Sequence, residues 1–290
     1  MFKNPEDSAV SAVLSLLLEV SANPKSGNVD REHDFEDLRY ENFLISASSA
    51  FPYFLRTAKR KKLYILQAIE KSRELGVETN VHFGAFLLLF PLVAVWESRL
   101  DEYPKNSVDF LKKTTFRDSV NIFKAFQLCR PRVLTAENFS LYESSTLHRI
   151  TREKLNVYGW MKLSPRENLI AKELTEGYPI SLNGAKFILS SESDVNETIV
   201  LVYHKLLSEY PDSLIIAKRG FGVAKSVMDL AKKAFESRKL EEFKKLDELL
   251  LREKINPGTI ADLVASSIYL ALSEGWKIEA KRFRVAERNK

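Results

Sequence analysis

Apolar residues recur at three- and four-residue intervals along almost the whole chain, and period-two alternation is rare. That spacing fits helices with one buried stripe and does not fit strands. Gly and Pro number only 10 each in 290 residues, too few to punctuate a protein of many short strands. The expected architecture is therefore all-α, a single globular multi-helix domain spanning 1–290. Helices are expected over 5–22, 36–56 and 59–75, the last two broken near the basic TAKRKK stretch. Asn80 or Thr79 caps a helix over 83–101, and helices over 106–128 and 140–157 follow. In Ser164-Pro-Arg-Glu-Asn168, Ser164 has the cap position, Pro165 the first helical position and Glu167 the third. Helices over 194–209, 222–238, 239–254 and 258–274 complete the set. No repeat or flexible linker interrupts them, and residues 100–160 carry the fewest signals.

The longest apolar run, FGAFLLLFPLVAVW over 83–96, is short of the roughly 20 residues that span a bilayer. It reads as a helix buried on most sides, so no membrane association is expected. The N-terminal apolar stretch follows Glu6 and Asp7 and meets Glu19, unlike a signal peptide. A single cysteine, Cys129, excludes an internal disulfide and places the chain in a reducing, cytoplasmic setting. Cys129 itself reads as a small core residue. The formal charge of +5 is spread through interleaved acids and bases. This describes solvated helix faces, not a nucleic-acid stripe, and it suits a polyanionic small molecule. Gln occurs only at positions 67 and 127 while Lys and Glu are abundant, a composition that leans towards a thermophile.

Four polar clusters stand out from this helical background. In the first, the Pro24-Lys25-Ser26-Gly27-Asn28 turn presents backbone N–H groups beside a Lys, an arrangement suited to phosphate. Asp34 and Asp37 follow, three residues apart. On a helix start they share a face and fit Mg²⁺, or they serve as a cap and a first-turn acid. The second cluster, Thr79, Asn80 and His82, precedes the apolar helix. His82 fits either a satisfied core position or a functional one. The third has Asp212 before an apolar turn, then Lys218, Arg219 and Gly220 leading into a helix, a plausible phosphate clamp. In the fourth, Asn256-Pro-Gly258-Thr turns into a helix that carries Asp262 among Ile, Ala, Leu and Val. An acid on an apolar run costs desolvation unless it is paired or functional.

Taken in order, these stretches resemble the triphosphoribosyl-dephospho-CoA synthase family. The resemblance is carried by PKSGNVD, DLRYENFLIS, TNVHFGAFLLLFPL, PDSLIIAKRG and NPGTIADL, and covers nearly the whole chain, most weakly over 100–160. The DFED, TEGYPISL and LLSEYPDSLI spellings look like the archaeal branch. The family implies an all-α transferase in which the 2′-hydroxyl of 3′-dephospho-CoA attacks C1′ of the ATP ribose. Adenine leaves and the triphosphate stays on the transferred ribose. On this resemblance Lys25, the backbone through Gly27, and Mg²⁺ held by Asp34 and Asp37 grip the triphosphate. Asp262, then Asp37, is expected to act as the carboxylate at C1′. Lys218 and Arg219 meet the acceptor's pyrophosphate. Asn28, Asn80 and Asn256 orient hydroxyls or the base, and His82, Asp212 and Gly258 complete the nucleotide site. Phe35 stands where the citrate-lyase branch has a His, and Ala217-Lys218-Arg219-Gly220 replaces Arg-Lys-His-Gly. These departures leave open another acceptor, such as a pterin, or nucleotide binding without turnover. A homodimer is compatible with the sequence.

Overall fold

The computed structural model describes residues 1–35, 38–134 and 143–277. Among them lie fifteen α-helices and no strand, the all-α architecture that the periodicity predicts.

Two helices form the inner frame. In α15 (Gly258–Ser273), every residue is buried except Gly258, Asp262 and Leu272, which are partly exposed. In α4 (Phe83–Ala94), every residue but Gly84 is buried. Helices apolar on all sides must be enclosed by other helices, and these are. The helices α1 (Pro5–Ser21) and α10 (Pro179–Leu189) pack on α15, and α2 (Tyr40–Arg60) packs on both α1 and α4. The α10–α15 approach is close because Gly184 faces Ser267, whose Oγ stands 2.3 Å from where a Cβ would lie. Ser267 returns its hydroxyl to Leu263 O at 2.7 Å, so the crossing buries no unsatisfied oxygen there.

Several boundaries differ from the sequence expectation, each for a local reason. The TAKRKK break falls after Arg60, where Lys61 turns left-handed (φ 53°) before α3 (Ile65–Glu74). The apolar run ends as a helix at Ala94, not 101. The 106–128 segment divides into α5 (Tyr103–Lys113) and α6 (Phe116–Cys129), because Thr115 and Asp118 close a capping box. The start of the expected 140–157 helix lies outside the described residues. Within it α7 covers Ser144–Arg152, and the short α8 covers Val157–Met161. The helix signalled by Ser164 begins later. Asn168, not Ser164, caps α9 (Leu169–Glu176) by accepting from Ala171 N at 3.1 Å. Ser213 locks the preceding turn, donating to Glu167 O at 2.6 Å and accepting from Leu169 N at 2.9 Å.

The remaining helices are α11 (Val195–Glu209), α12 (Ser213–Arg219), α13 (Phe221–Ser237) and α14 (Leu240–Arg252). Lys218 and Arg219 end α12, and Gly220 then caps the start of α13, so the basic pair does lead into the expected helix. Among the described residues no helix is long and apolar enough to cross a membrane.

Candidate active site

A cavity of about 850 Å³ opens where the N-termini of α4 and α15 meet α1, α6 and the 78–82 loop. Its lining includes the buried polar side chains of Glu19, Asn28 and His82 and the partly exposed Asp262, and the exposed side chains of Arg73, Arg130, Arg132 and Lys218 border it.

Asp262 sits one turn into α15 and its carboxylate reaches the first turn of α4. It accepts the Ala85 backbone N–H, and a Cβ on Gly84 would stand 2.0 Å from its Oδ2. A larger residue at 84 would therefore displace the carboxylate. Burial raises the Asp262 pKa well above the usual range, and the Glu19 and Asp212 carboxylates add to that rise. The group is an avid proton acceptor set at the start of a helix.

His82 is 3% exposed, and neither ring nitrogen has a hydrogen-bond partner among the described residues. Its ring lies edge-on to Phe43 at 5.1 Å and 5.7 Å from Phe86. Burial lowers its pKa to about 3, helped by the charge of Lys25, so the imidazole is neutral. Buried polar groups are ordinarily paired, and this one borders a cavity instead. Three other atoms on the lining share that condition: Asn28 Nδ2, Asn256 Oδ1 and Thr79 Oγ1. Asn80 borders the cavity too, and its Oδ1 accepts from Phe83 N at 3.2 Å at the start of α4.

The opening polar cluster is largely turned inward. Lys25 is fully buried, does not border the cavity and pairs with Glu19 Oε1 at 2.5 Å. This corrects the expectation of a phosphate-facing lysine. The backbone N–H groups expected to cradle phosphate are also engaged. Gly27 N donates to Asp247 Oδ1 at 2.8 Å, Asn28 N to Lys25 O at 2.9 Å and Val29 N to Asn28 Oδ1 at 2.7 Å. Gly27 has φ 73°, and a Cβ there would meet Ile255 O at 2.5 Å, so packing accounts for this glycine. Asp30 is buried and holds the loop together through Asn23 Nδ2 and the N–H groups of Glu32 and His33. The segment therefore mainly binds itself, and only Asn28 reaches the cavity.

Asp34 is exposed, lies before α2 and accepts from Tyr40 N at 2.7 Å. Asp37 lies outside the described residues. Among the described residues no three His, Cys, Asp or Glu side chains are grouped to hold a metal. Asp34 is engaged with the start of α2 and does not border the cavity.

Asp212 is fully buried and caps two helices. Its Oδ1 accepts from Leu214 N and Ile215 N at 2.7 and 2.9 Å, and its Oδ2 accepts from Ile260 N at 2.8 Å. It does not border the cavity, but it fixes α12 and α15, which carry Lys218 and Asp262. Arg219 is also off the lining and reaches Glu253 O at 3.4 Å. Lys218, Asn256 and Gly258 do border the cavity.

Glu19, Arg73, Arg130 and Arg132 border the cavity without having been singled out in the sequence. Glu19 had a signal, an acid closing an apolar helical run, as Asp262 had. Burial raises its pKa against the pull of Lys25. Cys129, expected in the core, is half-buried on the lining, with its thiol pushed up to about 12 by burial.

A helical frame with carboxylates lining a cavity and guanidinium groups at its border defines an all-α enzyme for a phosphorylated small molecule. The model of the ATP:dephospho-CoA triphosphoribosyl transferase family matches residues 5–280. A solved structure from Archaeoglobus fulgidus, provisionally named a triphosphoribosyl-dephospho-CoA synthase, is 43% identical. It aligns with a TM-score of 0.71, covering 81% of this chain and 100% of its own. A search of the curated proteins gives no match. The chain belongs to the ATP:dephospho-CoA triphosphoribosyl transferase family. It is a transferase that moves the triphosphoribosyl group of ATP onto dephospho-CoA, and the pterin and binding-only alternatives are not favoured.

Proposed function

We propose that this cavity is where the transfer takes place, with the ribose of ATP against Asp262 and the phosphates towards the arginines. The observation that carries the reading is the polarity of the lining. Glu19 and a neutral His82 are buried and Asp262 is partly buried, while Arg73, Arg130, Arg132 and Lys218 are exposed at the border. Cleaving the N-glycosidic bond builds positive charge at C1′, as in other glycosyl transfers. Carboxylates suit that carbon, and guanidinium groups suit phosphates.

In this reading the acceptor's 2′-oxygen bonds to C1′ as the C1′–N9 bond breaks, and adenine departs with the electron pair. Asp262, in its ionised form, takes the hydroxyl proton. It then hands that proton to adenine and returns to its starting state. His82, Asn28 and Asn256 offer unmet hydrogen-bonding capacity to the base and sugar hydroxyls. Asn80 and Asp212 act by holding α4 and α15 in place. Mg²⁺ arrives with ATP, bound to the substrate's own phosphates.

The test is adenine release. Purified protein with Mg-ATP, with and without 3′-dephospho-CoA, is followed by chromatography for free adenine and product mass. Adenine and a triphosphoribosylated product, both appearing only with the acceptor, are expected, and both should vanish in Asp262→Asn. Full turnover by Asp262→Asn would overturn the assignment.

A further inference from the structure

The cavity has a side recess of about 390 Å³ bordered by Phe126, Gln127, Arg130 and Arg132, four residues that also border the main cavity. We infer that this recess is an oligophosphate subsite in which Arg130 and Arg132 grip phosphoryl oxygens and Arg73 is a positioning residue. The inference rests on the reading of the cavity as the transfer site.

Three observations support it. First, the chain is shaped to bring both guanidinium groups to one place. The helix α6 ends at Cys129, and Arg130 turns left-handed (φ 47°) while donating its N–H to Phe126 O at 2.7 Å. Pro131 is buried and Arg130 and Arg132 on either side of it are exposed. A left-handed residue commonly ends a helix, and here the turn it makes leaves both Arg130 and Arg132 on the border of the recess.

Second, neither Arg130 nor Arg132 pairs with a carboxylate among the described residues, unlike Arg99, Arg149, Arg152 and Arg252. Arginine presents a planar fork matched to phosphate, so two such side chains in one recess are suited to a polyanion. The buried pairing of Lys25 with Glu19 leaves that task to other cations.

Third, the wall is braced. Nη1 of Arg73 donates to Leu128 O at 3.1 Å and to Glu78 O at 3.0 Å. It ties the end of α6 to the loop that leads to His82, so the recess and the buried polar groups keep a fixed relation.

The phosphates have two possible sources, the triphosphate of the donor and the pyrophosphate of the acceptor. The experiment compares full-length wild type with Arg130→Gln/Arg132→Gln. Calorimetry measures binding of inorganic tripolyphosphate, and steady-state assays give KM for ATP and for 3′-dephospho-CoA. Loss of charge-assisted bonds is expected to weaken tripolyphosphate binding by roughly tenfold or more, with kcat changed far less than KM. A rise in KM for ATP assigns the recess to the donor, and a rise for the acceptor assigns it to the acceptor. Arg73→Met should raise the same KM, and Arg73→Lys should restore part of it. Wild type that fails to bind tripolyphosphate, or a double variant with unchanged binding and both KM values unchanged, overturns the subsite. Weakened tripolyphosphate binding in the variant, with no adenine released by wild type, would keep the subsite and overturn the transfer reading instead.

Discussion

Gly84 and Asp262 face one another so closely that a Cβ on Gly84 would stand 2.0 Å from Oδ2 of Asp262. Each is a partly exposed position on a helix that is otherwise almost wholly buried. The cavity therefore opens where Gly84 of α4 and Gly258 and Asp262 of α15, all partly exposed, border the same space. Gly84→Ala is expected to turn the carboxylate away while leaving the fold intact, because the atom struck is the tip of a side chain. A displacement of about 1 Å at a reacting group can cost roughly 10²-fold, so kcat should fall by about that factor. Gly222, with nothing within 4 Å of its added Cβ, supplies the control. Gly222→Ala should keep full activity, and equal activity in both variants would remove Asp262 from the chemistry.

The Lys25–Glu19 pair separates two meanings of a buried cation. Breaking a buried ion pair from one side costs about 3–5 kcal/mol, while replacing both partners with apolar side chains is often neutral. Lys25→Met should accordingly lower the urea midpoint markedly. Adding Glu19→Met should recover most of the loss. A phosphate-binding Lys25 would behave differently, raising KM for ATP at nearly unchanged stability.

Fold class, most helices and part of the site were legible in the sequence, and the residues show why the remainder was not. Asp262 and His82 stood out because a polar group beside an apolar helical run is a local signal. The direction in which a loop side chain points is not local. Lys25 and Asp212 have residue types suited to a nucleotide site, but α1 and α15 supply them with partners, Glu19 and Ile260 N. Arg130 and Arg132 gain meaning only where α6 ends against the cavity. The helix α10 was passed over because Gly177, Pro179 and Gly184 look like loop punctuation. In the fold Gly177 caps α9 with φ 81°, Pro179 opens α10, and Gly184 lets α10 approach Ser267.

Glu173 gives the stability a pH dependence of unusual sign. Its carboxylate is buried and accepts from Ile180 N at 2.8 Å, Ser181 N at 2.9 Å and the Ser181 hydroxyl. Burial still raises its pKa from 4.5 to about 7. Between those values the folded state keeps a proton that the unfolded state has released. Stability from this group is therefore lost as pH rises from about 4.5 to about 7, by up to about 1.4 kcal/mol per pH unit. Glu173→Gln fixes a neutral side chain, and chemical denaturation from pH 5 to 8 should show a flatter decline than wild type. Asp212 and Asp247, each raised to about 6, act in the same sense. The buried neutral histidines act in the opposite sense. Both sets are common to the two proteins, so the difference in slope isolates Glu173, and identical slopes would refute its raised pKa.

His82 is where function and stability should be seen to oppose one another. Its two ring nitrogens are buried without partners among the described residues, between Phe43 and Phe86. Each such atom costs about 1–3 kcal/mol relative to a satisfied or absent one. His82→Phe removes both and keeps an aromatic ring of similar size against the same neighbours. The variant is expected to melt higher than wild type while KM for ATP or the acceptor rises, because the substrate loses the groups that would satisfy those nitrogens. His82→Gln, which keeps a hydrogen-bonding end in the cavity, should retain more affinity than His82→Phe and gain no stability. A His82→Phe variant that is more stable and fully active would make the histidine a packing residue. A variant that is less stable would mean that the ring nitrogens already have partners in solution, and calorimetry beside steady-state kinetics on the same preparations separates these outcomes.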